Sequence, residues 1–425
     1  MSQILVAATP ADGHAKPMLA IAAHLKRSGH NVTFNSGEKF RAQAEASGLH
    51  FVPFFGKASQ EVFDQLLVDR QMMKDPLEQI NFDIKHLFGD PTADQYKGLR
   101  QIAEKEPVDI ILADAFFFGM CPYLLGPKES RPPIISFGTF AMMMQTEETS
   151  FRTGVDRSPE GRKRNREHNE QQIKDFAPGS EYLNAILKSL GSRPMPGFFL
   201  NDAFTLADLH LQCGTREFEF ALEKVPANIR FVGPLVPPSK ADYQPPVWFE
   251  ELDNSKPVVF VTQGTVANFD FDQLVNPALA GLAEENVTVV ATAGGGDISA
   301  IQLQPNARVD QYLPYDRIFP KTAVFITNAG YNGVQQALAM GLPVIAAGAT
   351  EDKPQVAARL EWTGAGIDLK TGNPTPEQIR DAVRTILSDP KYKKRALELQ
   401  ADYAKVDALK SIEDAVKELL AVEVA

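Results

Sequence analysis

At 425 residues, with ordinary apolar and charged fractions, the chain has the make-up of a soluble globular protein of two or three domains. Its formal charge of −11, with no long basic run, argues against nucleic acid or an anionic membrane as partner, and leaves room for a small anionic ligand at a local site. The only two cysteines, Cys121 and Cys213, lie in apolar surroundings and read as buried thiols of a cytoplasmic protein rather than a disulfide framework. The N-terminal apolar run is too short for a signal peptide, and no apolar stretch approaches a membrane span.

In chain order, QILVAA (3–8) is an apolar run of strand length, and TPADGH follows as a loop holding Gly13 and His14. Pro17 suits the first turn of the next helix, where its missing N–H is not needed. Met18, Ile21, Ala22 and Leu25 recur at helical spacing, Gly29 marks the stop, and HNVTFN (30–35) is a second strand. Strand, helix and strand in such a short span make a βαβ unit and imply a parallel sheet. VDIILADA (108–115) and PPIISFG (132–138) read as buried strands, with weaker signals at 205–214 and 229–234. The polar stretch 145–180 is a surface excursion, part helix and part loop, whose Arg162, Lys163, Arg164 and Arg166 form a solvated face.

GPLVPPSKADYQPP (233–246) is the best linker, and after it the alternation restarts at 256–265, 287–296, 322–330 and 342–350. The expected architecture is α/β, with two doubly wound Rossmann-like domains facing across a cleft. The domains span 1–235 and 251–408, joined by a linker at 236–250. A last helix (409–425), with an apolar stripe at Ile412, Val416, Leu419 and Leu420, packs on a domain surface. Such sheets bind ligands at the carboxyl ends of their strands.

Two sets of residues fall at those ends. His14 and Asp114 each follow an apolar strand; a carboxylate there would orient the imidazole and favour its protonation, giving a general base. Alone, each could instead cap a turn or a helix. In the second half, TQGT (262–265) presents Gly264 and Thr265, and TNAGYNGVQQALAMG (327–341) runs from strand through glycines to helix. Gly330 and Gly333 would leave N–H groups free for a diphosphate. DFD (270–272) reads as a cap and GGGD (294–297) as a turn. The P-loop lysine is absent and no His/Cys cluster has metal-ligand spacing, so no metal is expected. The clusters FFF (116–118) and MMM (142–144) read first as core; Phe116, Phe117, Phe140 and Met142 are also candidates to line an apolar acceptor pocket.

These residues carry a family likeness. GHAKPMLAIAAHLKRSGHNVTF, ILADAFFFG and the block 312–360 together resemble the soluble family 1 UDP-glycosyltransferases of GT-B fold. The resemblance covers both domains, least at 145–225. It implies an N-terminal acceptor domain and a C-terminal nucleotide-sugar domain. It places His14 on the catalytic base and Asp114 on its partner, and Tyr312 where a ring stacks on the nucleobase. Gly330, Asn332 and Gly333 fall on the phosphate turn, Thr265 on a diphosphate contact, and Asp352 with Lys353 on the pair that grips sugar hydroxyls. Asn328 stands where the family usually has histidine, Gln336 where a glutamate accepts from the ribose, Gly333 for serine or threonine, and Lys353 for glutamine. The loss of a ribose carboxylate weakens the case for UDP over dTDP. The implied reaction is inverting sugar transfer from a nucleoside diphosphate to an apolar or aromatic hydroxyl compound, with the nucleotide sugar as co-substrate and no other cofactor. The rival readings are a nucleotide-sugar epimerase and a catalytically silent binding partner.

Overall fold

The computed structural model describes residues 1–151, 154–236, 243–252, 255–264 and 270–422. Seven parallel strands make the first sheet: β1 (Gln3–Ala7), β2 (Asn31–Ser36), β3 (His50–Pro53), β4 (Ile110–Asp114), β5 (Ile134–Gly138), β6 (Leu209–Cys213) and β7 (Ile229–Gly233). Their order is β3-β2-β1-β4-β5-β6-β7. Six more make the second: β8 (Val258–Thr262), β9 (Thr288–Thr292), β10 (Ala307–Asp310), β11 (Val324–Thr327), β12 (Val344–Ala346) and β13 (Gly366–Asp368), ordered β10-β9-β8-β11-β12-β13. Both are doubly wound α/β sheets. Strands covered on both faces read as unbroken apolar runs, and β4, β5 and β8 are buried along their whole length.

The order reverses between β1 and β4 in the first sheet and between β8 and β11 in the second. Neighbouring loops leave in opposite directions at such a point and open a crevice. The crevices face one another, and a single buried cluster runs from the first sheet through the interface into the second, from Ile4 and Leu211 to Phe260 and Tyr331.

One feature differs from expectation. The first helix begins at Asp12, not after the loop, so Gly13 and His14 lie in its first turn and Pro17 lies inside it. Its N-cap is Ala11, with no capping side chain, which is why no start signal is visible. The excursion at 145–180 contains helices Pro159–Asp175 and Ala177–Ser189, and its arginines pair with Glu147, Asp156 and Glu223 on the surface. The C-terminal helix Ala408–Val422 returns to the first half: Glu413 pairs with His24 at 2.8 Å and Glu418 with Arg230 at 2.6 Å. Part of the expected linker, 237–242, lies outside the described residues. No helix of the described residues is long and apolar enough to cross a membrane.

Candidate active site

His14 sits on the first turn of the helix leaving β1, and Asp114 closes β4, so the two flank the first reversal point. His14 Nδ1 and Asp114 Oδ1 are 2.9 Å apart. The Asp114 carboxylate is fully buried and accepts from the Thr9 N–H at 2.6 Å and the Phe116 N–H at 3.1 Å. Ringed by donors, it acts as an acceptor, so the shared proton rides on Nδ1 and leaves Nε2 with its lone pair. The imidazole is part-exposed, its side chain 17% accessible.

Aromatic rings surround the imidazole. Phe140 lies 5.9 Å from it and Phe116 and Phe88 6.3 Å, and Phe116 stacks on Phe140 at 4.2 Å. Two of the four residues expected to line the pocket, Phe116 and Phe140, stand beside the histidine. Phe117 does not: it is fully buried and stacks on Phe54 in a separate cluster with Leu5 and Ala7. Complete burial of such a ring contributes about 1.5–3 kcal/mol, which marks it as core. Met142 is likewise buried, beside Phe204 and Phe220. Phe88 was missed by sequence reasoning; it is aimed by a π-helical turn, Asp83–Gly89, a conformation that recurs at functional sites.

Across the cleft, β11 ends at Thr327 and the helix Tyr331–Ala339 begins after Asn328, Ala329 and Gly330. Ala329 takes φ +65°, a strained conformation for a residue with a side chain. Gly330 is the N-cap and no side chain caps this end, so the first backbone N–H groups of the helix are left without a side-chain acceptor. Gly264, at φ +75°, follows β8 on the other side of the reversal point; Thr265 lies outside the described residues. Asn328 Nδ2 donates to the Gln263 carbonyl at 2.6 Å, so one of its two amide hydrogens is already committed. Gly333 faces the Tyr315 ring, and a Cβ there would lie 3.5 Å from its hydroxyl. Tyr312 is 60% exposed, free to stack on a planar group, and Gln336 lies half-buried on the same helix as Gly333.

The two crevices are joined directly. Pro17 has no N–H, so the Gly13 carbonyl one turn back lacks its helical donor. Asn332 Nδ2 reaches across to that carbonyl at 3.5 Å. Asp352 Oδ2 accepts from the Ala141 N–H at 3.4 Å, and burial, with the Glu351 carboxylate beside it, pushes the Asp352 carboxyl up. Lys353 Nζ bonds Glu351 at 2.6 Å rather than standing free for a ligand. Glu351, at φ +58°, also faces Arg70 at 3.7 Å. Burial acts to raise its carboxyl, but Lys353 and Arg70, with His14 nearby, hold it below the usual range. Arg70 and Glu351 were not singled out in the sequence, because a contact between distant segments leaves no local pattern.

Among the described residues no group of three or more His, Cys, Asp or Glu side chains is placed to hold a metal ion. Asp270 caps a short turn by accepting from the Asp272 N–H, in line with the capping reading of DFD.

Comparison with known proteins places this site in context. Residues 192–416, more than half the chain, match the family model described as UDP-glucoronosyl and UDP-glucosyl transferase. The chain is similar to 4'-demethylrebeccamycin synthase of Lentzea aerocolonigenes, 33% identical over 99% of this chain and 100% of the relative. It is also similar to UDP-glycosyltransferase 2 of Phaeomoniella chlamydospora, 34% identical over 98% and 96%. Among solved structures, the glycotransferase of kitacinnamycin superposes with a TM-score of 0.74 at 20% identity, covering 98% of each chain. The calicheamicin glycosyltransferase CalG4 gives 0.74 at 19%, covering 99% of this chain and 98% of that one. These structural matches establish the fold as GT-B, and with the full-length relatives and the family model they make this chain a member of the UDP-glucoronosyl and UDP-glucosyl transferase family.

Proposed function

We propose that the protein transfers a sugar from a nucleoside diphosphate, UDP- or dTDP-linked, to a hydroxyl of an apolar or aromatic small molecule, with inversion at the anomeric carbon. The observation that carries this reading is the His14–Asp114 pair, part-open among aromatic rings, facing an uncapped helix N-terminus across the cleft. His14 Nε2 takes the acceptor proton as the acceptor oxygen bonds to the anomeric carbon. The bond from that carbon to the diphosphate oxygen breaks, and its electron pair leaves with the diphosphate. Asp114 stabilises the imidazolium. Backbone N–H groups at the start of helix Tyr331–Ala339 meet the charge that grows on the leaving group, an interaction stronger in the transition state than before it. Because those dipoles neutralise the diphosphate, the reaction needs no metal and no cofactor beyond the nucleotide sugar. Names such as UDP-glucosyltransferase among the relatives support UDP as carrier; Gln336, in place of a carboxylate at the ribose, favours a deoxyribose carrier.

The test is to incubate the protein with UDP- and dTDP-sugars and a panel of phenolic, polyketide and aliphatic alcohols, with and without a chelator. The expected result is a glycoside of opposite anomeric configuration to the donor, formed equally in both conditions. Turnover confined to free sugars refutes the acceptor class, and retention refutes the single displacement. Asn328 and Gln336 favour one other reading, a silent nucleotide-sugar binder, for which nucleotide raises the melting temperature but no product forms.

A further inference from the structure

Phe140 belongs to the acceptor wall, since it stacks on Phe116 beside His14, and the backbone of segment 140–142 sets its place. That backbone is held by side chains from both halves of the molecule. The Phe140 carbonyl accepts from Gln212 Nε2 at 2.8 Å. The Ala141 N–H donates to Asp352, and the Met142 N–H to Glu219 Oε2 at 3.2 Å. The Met142 carbonyl accepts from Arg359 at 2.7 Å.

Glu219 belongs to the first half and Arg359 to the second, and they meet as an ion pair at 2.6 Å with both residues at 2% exposure or less. Both Nη1 donors of Arg359 are spent within the second half, on the Gln355 carbonyl at 3.0 Å and its side-chain oxygen at 2.8 Å. The guanidinium also lies 4.3 Å over the Phe220 ring. Tyr331, the first residue of the helix whose N-terminus faces the cleft, has its hydroxyl within hydrogen-bond reach of both the Glu219 carboxylate and the Cys213 carbonyl, which share its one proton. Phe220 and Ala221, at φ +62° and +46°, make the strained turn that follows Glu219. Strain of this kind persists only where the surroundings over-determine it.

Resting on the transferase reading above, we propose that Glu219 and Arg359 are positioning residues whose buried pair locks the acceptor wall at 140–142 to the donor half. One carboxylate and one guanidinium grip both ends of the Met142 residue while touching the helix at the phosphate turn. The acceptor hydroxyl and the donor's anomeric carbon are thereby held in register by one cluster, and the wall cannot shift without breaking the contact between halves. The pair touches no reacting atom; it acts through Phe140 and Met142.

The test uses the full chain carrying Glu219→Gln with Arg359→Met, which removes both charges together and strands neither, since loss of one partner alone leaves an uncompensated buried charge. The amide introduced by Glu219→Gln can still accept from the Met142 N–H, but the Met142 carbonyl loses its donor. The expected result has three parts. UDP and dTDP binding, read as a melting shift, stays near that of the parent. Acceptor KM rises by about tenfold or more, because small misplacement of reacting groups is costly. Amide exchange at Ala141 and Met142 accelerates while β8 and β11 stay protected. Arg359→Lys keeps the charge but not the fork, so its acceptor KM falls between the two; should the double variant not fold, this variant carries the same three readouts. Unchanged acceptor KM with unchanged exchange at 140–142 overturns the proposal, as does loss of nucleotide binding in step with loss of acceptor binding, which marks a merely structural role. A parent protein that transfers no sugar refutes the transferase reading instead, and exchange at Ala141 and Met142 then still decides whether the pair holds the segment.

Discussion

Asp114→Asn replaces one carboxylate oxygen by an amide nitrogen in a fully buried setting where every neighbour is a donor. The amide has two orientations, and both fail. With its nitrogen at the Oδ2 position it confronts the Thr9 N–H at 2.6 Å; with its nitrogen at the Oδ1 position it confronts the Phe116 N–H and donates to His14 Nδ1. The second orientation drives the imidazole proton onto Nε2, so the nitrogen facing the cleft can no longer accept one. A buried donor left without an acceptor costs about 1–3 kcal/mol, so the variant melts lower but folds. Loss of general base catalysis costs about 10²–10⁴ in rate, equivalent to roughly 3–5 kcal/mol of transition-state stabilisation. The assay is initial rate at saturating donor with an aliphatic alcohol, beside thermal unfolding of the same samples. An acidic phenol, which ionises with little help, is affected less and serves as internal control. A folded Asp114→Asn protein that keeps the parent rate with the aliphatic alcohol refutes the reasoning, because the carboxylate then contributes nothing to the rate through its charge or through the tautomer it fixes.

Other consequences follow from the same geometry. His210 is buried between Ser136 Oγ at 2.7 Å and Gln212 Oε1 at 3.1 Å, and burial lowers its pKa from 6.5 to about 4. The unfolded chain therefore binds the extra proton first: the contribution to stability is complete above pH 6.5 and is lost as pH falls toward 4, by roughly 3 kcal/mol in all. Urea midpoints at pH 7 and pH 4.5 measure this, and His210→Gln flattens the difference; an equal loss in the variant contradicts the assignment. Phe88→Ala or Phe116→Ala opens the wall beside His14 and raises acceptor KM while leaving nucleotide affinity intact, read by steady-state kinetics and melting shifts; equal effects on both ligands contradict a wall role. Arg70→Ala leaves Glu351 to Lys353 alone and also removes the 2.7 Å partner of Asp83, on the turn that carries Phe88, so acceptor KM is the constant it moves most. Donor KM shifts by a few-fold at most, since a 3.7 Å pair with a part-exposed partner contributes about 1 kcal/mol or less.

Much of the architecture was readable because the central strands are buried on both faces. β1, β4, β5, β8, β9 and β11 are apolar runs with turn residues at their carboxyl ends, and those ends carry the reactive groups. The strands that escaped notice are β3, β10 and β13, all at sheet edges and only three or four residues long. A proline ends β3, and arginine and aspartate interrupt β10, so neither has a run to read. The His14–Asp114 pair was readable because Asp114 ends the apolar run of β4 and His14 stands at the start of the helix after β1, so both fall at the carboxyl edge of the sheet. Phe116 and Phe117 could not be told apart, because consecutive rings go to opposite sides of the sheet and nothing local says which side faces the cleft. Pro17 misled for a related reason. Without a capping side chain the helix start is silent, and the proline's interior position shows only through the Gly13 carbonyl it frees for Asn332. The Glu219–Arg359 pair joins residues 140 positions apart, beyond the reach of any local pattern.

The most direct test of the account is the rate of sugar transfer to an aliphatic alcohol by the parent protein and by His14→Ala, at saturating donor. With the imidazole as base, the variant binds nucleotide as the parent does and transfers at least about 10²-fold more slowly. Transfer by His14→Ala at the parent rate would remove the imidazole from the mechanism and contradict the account.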